Sequence, residues 1–461
     1  MSSPHFKVIV VGGGPVGLTA AHALHHAGID FVVLEARNSV VLDQGASLVL
    51  GPPSMRVMHQ FGLSERLAKI GCELARNTSF TQDGNRFADS RTVPHLFKTN
   101  HGTAPVIFHR AQLVEALYDG LPSDAQSRYL LNKKIKSIEF SNAHDGVSVI
   151  CTDGSTYQGS IVVGADGVHS KTRTLMRDMA MSQDPQQVWS DSADPFPAQY
   201  RCMWSSFPRP ESVEAGHATE VQSKDMSIMF LAGKVRGWIF LYKRFPRENS
   251  ARAADSTKAA RVRYSEEDMQ VFATQFSDFP VTETLKVRDV YATRLTQGMA
   301  NLEEGILTRW SWRRIVLAGD ACHKFTPNAG RGLNNGIQDV VALCNGLHEM
   351  LQSSQGILPN EITLCNVFDV YQKARADPLR SDYDQSRHMS RMHAWENKLY
   401  YFLARYVMCR AWIVALMLKL TGNGAGAIQK ALVLNYILAD EPFAALIPWD
   451  HPLVIKETKA C

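Results

Sequence analysis

The chain has 461 residues, 49 Lys and Arg against 45 Asp and Glu, a formal net charge of +4 and a hydrophobic content of 45%. That length holds two or three domains or one large two-layer unit, and the near-balance of charge, with no long Lys/Arg run, excludes nucleic acid as an expected partner. The eight cysteines (72, 151, 202, 322, 344, 365, 409 and 461) form no CxxC pair, which argues against a zinc site or a disulfide framework and for a reducing, cytosol-facing, intracellular setting. The opening MSSPHFKVIVVGGG has no basic segment ahead of an apolar run and no small-residue cleavage site, so no signal peptide is expected.

The first forty residues read as β-α-β. Phe6–Val11 is a continuous apolar run, as a buried parallel strand requires. Gly12–Gly17 forms a turn, Pro15–Ala27 a helix rich in Ala and Leu that Gly28 stops, and Phe31–Leu34 the second strand. A helix is expected over Ala111–Tyr118. A hairpin-like stretch follows at 134–157, with turns at Asp145-Gly146 and Asp153-Gly154, and then a buried strand at Ile161–Gly164. From about 185 to 290 the texture becomes short alternating segments: TyrArgCysMetTrp (200–204), Met226–Leu231 and Gly237–Tyr242. They predict an antiparallel sheet inserted between two parts of a nucleotide fold. Arg314–Leu317 resumes that fold, and from 341 to about 420 the chain reads as helical.

Three motifs carry chemistry. Gly12-Gly13-Gly14-Pro15-Val16-Gly17 is a GxGxxG in register at Gly12, Gly14 and Gly17, between a strand and a helix. Its glycines let the chain turn tightly and bring backbone N–H groups to a pyrophosphate at the helix N-terminus. Glu35 ends the next strand, where a carboxylate accepts hydrogen bonds from both hydroxyls of a ribose. This context predicts dinucleotide binding without choosing between NAD and FAD. The second motif, residues 162–173, sets Asp166-Gly167 directly after a strand, with Ser170 and Arg173 at helical spacing; the plainer account of Asp166 is a helix cap. The third, residues 314–339, delivers Asp320 at a strand end, suited to hydrogen-bond a sugar-like chain. A Pro/Gly loop (327–332) then opens a helix at Leu333, whose free N–H groups and dipole suit a developing anion.

In this order and at these separations the motifs resemble the single-component (group A) flavin monooxygenases of the para-hydroxybenzoate hydroxylase type, over about residues 1–345. The resemblance implies an α/β fold: a Rossmann-type FAD-binding domain with an inserted antiparallel β-sheet substrate domain and a helical C-terminal region. The expected divisions are 1–180 and 291–345 for the FAD-binding domain, 181–290 for the sheet and 346–461 for the helices. It further implies FAD, NAD(P)H (NADPH favoured) and O₂, with one oxygen atom transferred to a hydrophobic small molecule. The first motif would bind the ADP part, the Asp-Gly motif would support FAD and NAD(P)H binding, and Asp320 would hold the ribityl chain. GlyAlaSerLeu (45–48) and PheHisArgAlaGlnLeu (108–113) resemble the fungal branch of meroterpenoid and indole-diterpene pathways, whose enzymes typically epoxidise a prenyl chain before cyclisation. That resemblance gives Arg110, and backbone groups near Val49 and Leu333, to FAD. The sequence departs from the family where Val49 replaces the usual glycine and Leu333 a smaller residue.

Other features compete. Arg201 and Tyr242 fall in the expected substrate sheet, and some phenol hydroxylases of this group hold an ionised phenol with such a pair. Aromatic hydroxylation is therefore the second reading, and a flavin-free prenyl-binding protein of the same fold the third. TrpSerTrp (310–312) loosely matches a halogenase motif but lacks its Ile-Pro. His323 is expected to be structural, and His22, His25 and His26 to lie on a helix surface. The apolar stretch 400–418 is broken by Arg405 and Arg410 and 431–438 is short, so a buried or interfacial helix is expected rather than a span, with a membrane surface as a further partner.

Overall fold

The computed structural model describes residues 5–43, 46–141, 145–183, 191–192, 194–246, 262–354, 356–420 and 428–454. Gly45, part of one family-like segment, lies outside them. The nucleotide fold is a six-stranded sheet in the order Ser311–Trp312, Ile315–Leu317, Ile161–Gly164, Lys7–Val11, Asp30–Leu34 and Tyr129–Leu130. All its neighbours are parallel except the first pair. The central strands are buried on both faces, which is why their sequence is unbroken Val, Ile and Leu. Helices Pro15–His26 and Arg331–Ser353 cross so closely that a Cβ on Gly336 would lie 2.6 Å from Val16 Cγ2. The register aligns Val11 with Gly164 and Leu34, so the glycine turn, Glu35 and Asp166 all leave the carboxyl edge, the usual ligand side of such a sheet.

The second sheet has seven strands, in the order Thr296–Glu303, Ala198–Pro208, Arg236–Arg244, Met226–Ala232, His217–Ser223, Arg76–Thr81 and Arg86–Ser90. It therefore draws 76–90 and 296–303 from outside the 181–290 segment. Arg76–Thr81 joins in parallel, a non-local pairing that its polar sequence does not announce. The sheet separates two apolar clusters. Met203, Phe207, Ile228, Phe230 and Leu241 face outward, under helices Glu266–Thr274 and Val287–Ala292. Tyr200, Cys202, Leu231, Trp238, Phe240 and Tyr242 face inward, toward Val49 and Ile107 of a small sheet formed by Ser47–Leu50, Val106–His109 and Cys72–Glu73.

Helices dominate from Arg331 to Leu420, with one of 33 residues, Glu361–His393, started by the Asn360 side chain accepting from the Thr363 N–H; the described residues 428–454, within the 346–461 expected to be helical, carry no helix. Residues 431–438 are not helical. They run along helix Pro52–Gln60, where Gln60 donates to the carbonyls of Leu434 (2.7 Å) and Ile437 (3.1 Å). Among the described residues no helix is long and apolar enough to cross a membrane. His22 corrects the surface expectation: it is buried, bonded to the Leu117 carbonyl at 2.8 Å and stacked on Phe61, and burial holds its pKa down at about 4. Its charge would be too costly there, so it packs as a neutral ring.

Candidate functional site

The glycine turn is shaped by what surrounds it. Gly12 sits at φ +103°, and a Cβ there would lie 2.5 Å from the Ala165 carbonyl oxygen; one on Gly17 would lie 1.9 Å from the Gly12 carbonyl oxygen. A Cβ on Gly14 would meet nothing within 4 Å. The turn is therefore closed on its protein side and open where helix Pro15–His26 presents N–H groups that no side chain caps. Tyr129 holds the turn from the far side by donating to the Gly13 carbonyl at 2.9 Å. Burial raises its pKa, so it stays a donor.

Glu35 is buried, accepting from Gly13 N at 2.7 Å through one carboxylate oxygen and from Arg37 N at 2.9 Å through the other. Each oxygen retains a lone pair for a ribose hydroxyl. Asp166 accepts from Ser170 Oγ (2.5 Å), Thr172 N (2.9 Å) and Thr172 Oγ1 (3.0 Å). Burial raises its pKa against the lowering effect of these bonds. The helix Lys171–Gln183 is capped by Ser170, whose hydroxyl accepts from Arg173 N at 2.9 Å; Asp166, expected as the cap, instead holds Ser170 and Thr172 and braces the loop behind Gly12. Arg173 joins the second motif to the third, donating to the Val168 (2.7 Å) and Ala321 (3.0 Å) carbonyls.

Asp320 lies in the short turn Gly319–Ala321 just past the strand Ile315–Leu317, beside an ion-paired Lys324. A Cβ on Gly332 would come to 3.7 Å from its carboxylate. Behind it lies a buried network absent from the sequence reading. Asp339 accepts from Gly319 N (3.0 Å), from His323 and from Arg375 Nε (3.0 Å), and Arg375 also donates to Asn335 at 2.6 Å. Burial pushes the Asp339 carboxyl up, but His323 and Arg375 outweigh it and hold its pKa below the usual range. Cys322, His323 and Asp339 approach closely enough to share an ion, yet Arg375 already fills the cation's place. His323 is thus structural in its geometry.

Val49 and the start of the helix at Arg331 meet across the cleft, tied by Asn334. Its amide donates to the carbonyls of Val49 (2.8 Å) and Gly330 (2.7 Å), and accepts from Gly51 N (2.8 Å) and Ser54 Oγ (2.7 Å). The helix begins two residues before Leu333, which packs half-buried against the main core. Arg110 is exposed to water within a cleft of dense protein. Burial and Arg37 lower its pKa while Asp320 raises it. Its backbone N–H donates to the Ala46 carbonyl at 3.2 Å, while its guanidinium makes no hydrogen bond or ion pair to another described residue, so it is an unpaired cation between the Glu35 and Asp320 ends. The set fits FAD: an open glycine turn, a ribose acceptor, a cation for charge, and an acceptor for a ribityl chain.

Arg201 and Tyr242 are not brought together. Tyr242 pairs with Cys202 across the strands, and Arg201 with Lys243. Side chains alternate along a strand, so the two point to opposite faces. Tyr242 lies inward, fully buried, and burial raises its pKa. Arg201 lies outward against the rings of Tyr264 (4.9 Å) and Phe245 (5.3 Å). Trp310 is a core residue, its indole donating to the Leu307 carbonyl at 2.9 Å.

A family model described as FAD binding domain matches residues 5–358. Across 402 residues the chain is 32% identical to the FAD-dependent monooxygenase ausM of Penicillium brasilianum, covering 87% of this chain and 82% of that protein. Over 409 residues it is 32% identical to the FAD-dependent monooxygenase spyC of Aspergillus fumigatus, covering 88% and 84%. Klebsiella pneumoniae HpxO, solved with FAD and uric acid, shares the fold with a TM-score of 0.69 at 20% identity, over 92% of this chain and 97% of that one. CtdE, solved with FAD and a substrate, does so with a TM-score of 0.67 at 17% identity, over 92% and 99%. The chain belongs to the FAD-dependent monooxygenases, oxidoreductases built on this FAD-binding domain.

Proposed function

We propose that this monooxygenase uses NAD(P)H and O₂ to epoxidise a prenyl chain on a hydrophobic substrate, ahead of cyclisation in a fungal secondary pathway. The observation that carries the reading is the inward face of the seven-stranded sheet, which offers Tyr200, Trp238, Phe240, Tyr242 and Leu231. The arginines at its margin are engaged: Arg244 by Glu396 (2.5 Å) and Arg391 by Glu304 (2.6 Å). An alkene asks for no anion stabilisation, whereas a phenolate needs a cation that is free to meet it.

In this reading Gly12, Gly14, Gly17 and Glu35 hold the ADP end of FAD. Asp166 braces the turn, Arg110 neutralises phosphate charge, and Asp320 accepts from the ribityl hydroxyls. The backbone at Val49 and Leu333 flanks the ring system. Bound FAD, once reduced, supplies the oxygen-transfer chemistry; the chain's own residues aim the substrate and exclude water. The aromatic inner face does the excluding. Tyr242 remains a protonated phenol there and orients substrate.

Two outcomes test this. Arg201→Gln should leave turnover within about tenfold, because Arg201 faces away from the inward face; a loss above about a hundredfold in flavin-loaded enzyme would contradict that placement and move the reading to phenol hydroxylation. Asn334→Ala removes three hydrogen bonds that cross between the segments flanking the ring, to Val49, Gly51 and Ser54. Leaving such groups unpaired costs on the order of 1–3 kcal/mol, so FAD affinity should drop about tenfold or more. Fluorescence titration of apoprotein with FAD measures it, and an unchanged dissociation constant would remove Asn334 from the cofactor seat.

A further inference from the structure

Three helices begin at the cleft that seats the cofactor. Pro15–His26 starts in the glycine turn, and Arg331–Ser353 starts beside Val49. Pro52–Gln60 is tied at its first turn to Asn334, through Gly51 N and Ser54 Oγ. One non-helical segment, 431–437, holds all three away from the cleft. Side-chain amides take both the N–H and the C=O groups of its backbone. Gln338 accepts from Leu432 N (2.8 Å) and donates to Leu432 O (3.1 Å). Gln60 does the same for Leu434, at 3.0 and 2.7 Å. Asn345 accepts from Asn435 N (3.1 Å) and donates to Val433 O (2.8 Å). Tyr436 donates to the Ala23 carbonyl at 2.9 Å, in the last turn of Pro15–His26. Further on, Glu441 accepts from Arg56 Nε at 3.0 Å. Arg56 is fully buried, and its guanidinium lies 4.1 Å from the centre of the Trp449 ring.

These bonds fix the spacing of the helices at their far parts. Gln60 and Gln338 are buried, so departure of the segment would leave their amides and its own backbone unpaired. A helix carries such a constraint along its length: Asn345 stands about 21 Å from the start of its helix at 1.5 Å per residue. Bound FAD would hold the same three helices from their near ends. Two contacts that order the same elements assist one another, because each meets part of the ordering cost of the other, and the coupling is reciprocal. We propose that residues 431–453 form a strap that belongs to the cofactor seat, its docking coupled to FAD binding. Gln60, Gln338, Asn345 and Tyr436 are then positioning residues that act through the three helices. The proposal rests on the cofactor seat assigned above. A yellow Gly17→Ala protein would remove that seat and the coupling together, whereas flavin-independent docking of the strap beside a colourless Gly17→Ala counts against the coupling alone.

Hydrogen exchange reads the coupling in the full-length wild-type protein. The N–H groups of Leu432, Leu434 and Asn435 are held by side-chain oxygens, so their exchange reports strap docking. Removal of FAD is expected to speed their exchange at least about fivefold, and to speed that of the strand Met226–Ala232 much less. The double variant Asn345→Ala/Tyr436→Phe loosens the strap without touching the glycine turn, Glu35 or Asp320. It should bind FAD at least about fivefold more weakly, and saturating FAD should restore the exchange protection at Leu432 and Leu434. Exchange at the three amides that ignores FAD overturns the proposal. So does a rise shared equally by the strand, which would mean that FAD steadies the whole fold. Faster strap exchange in the double variant with unchanged FAD affinity overturns it as well. The wild-type comparison needs no substitution and decides the matter even if the double variant does not fold.

Discussion

Gly17→Ala is expected to purify without flavin. The added Cβ would sit 1.9 Å from the Gly12 carbonyl oxygen, far inside any contact a real methyl makes. Relief requires the turn to open, because the carbonyl is backbone and Gly12 itself is pressed against Ala165. Opening it withdraws the N–H groups of helix Pro15–His26 from the position a pyrophosphate needs. The strand and helix on either side are deeply buried, so the fold should survive while FAD affinity falls at least about a hundredfold, roughly 2.7 kcal/mol. Absorbance of the purified protein and a titration of apoprotein with FAD measure the loss. A yellow Gly17→Ala protein with ordinary affinity would mean that the turn does not seat the cofactor.

Asp339→Ala should be the most destabilising single change at the site. It strips a fully buried carboxylate from Arg375, His323 and the Gly319 N–H together. Arg375 would keep only Asn335. Removing one partner of a buried pair costs roughly 3–5 kcal/mol, because the charge left behind is neither hydrated nor compensated. FAD affinity should fall with it, since Gly319 and Asp320 lose the anchor behind them. Urea unfolding and FAD titration check both; unchanged stability would contradict the role given to the network. The pH dependence has a defined sign. A carboxyl whose pKa is depressed on folding stabilises the protein above its unfolded value of about 4, and that contribution fades as the pH falls toward the folded value. Wild-type stability should therefore drop on acidification below about pH 4, and Asp339→Asn should lose part of that slope.

Much of the nucleotide fold was legible because its signals are local. The turn at Gly12–Gly17, the strand before it and Glu35 lie within thirty residues, and the glycines are obligatory where backbone approaches backbone. The rest depended on pairings that sequence does not encode locally. Alternation shows that Tyr200 and Cys202 share a face, but not that this face is the inner one or that Cys202 registers with Tyr242. Arg201 and Tyr242 fall in one expected sheet, yet one residue of register sends Arg201 outward. Arg76–Thr81 is polar and carries no local strand signal, and only its pairing with His217–Ser223, about 140 residues on, makes it a strand. Tyr129, Asn334 and Arg375 act through backbone groups or charges far away in the chain, and none stands in a motif that names its role. Asp339 closed the third motif in plain view, yet its function depends on Arg375, which arrives from another helix.

The most direct test of the central claim is turnover of a prenylated phenol by purified, flavin-loaded enzyme with NADPH under isotopically labelled O₂. The account predicts that the prenyl chain gains one labelled oxygen as an epoxide, at close to one NADPH consumed per product. A label on the aromatic ring, oxygen drawn from water, or a protein that FAD does not reconstitute would contradict it.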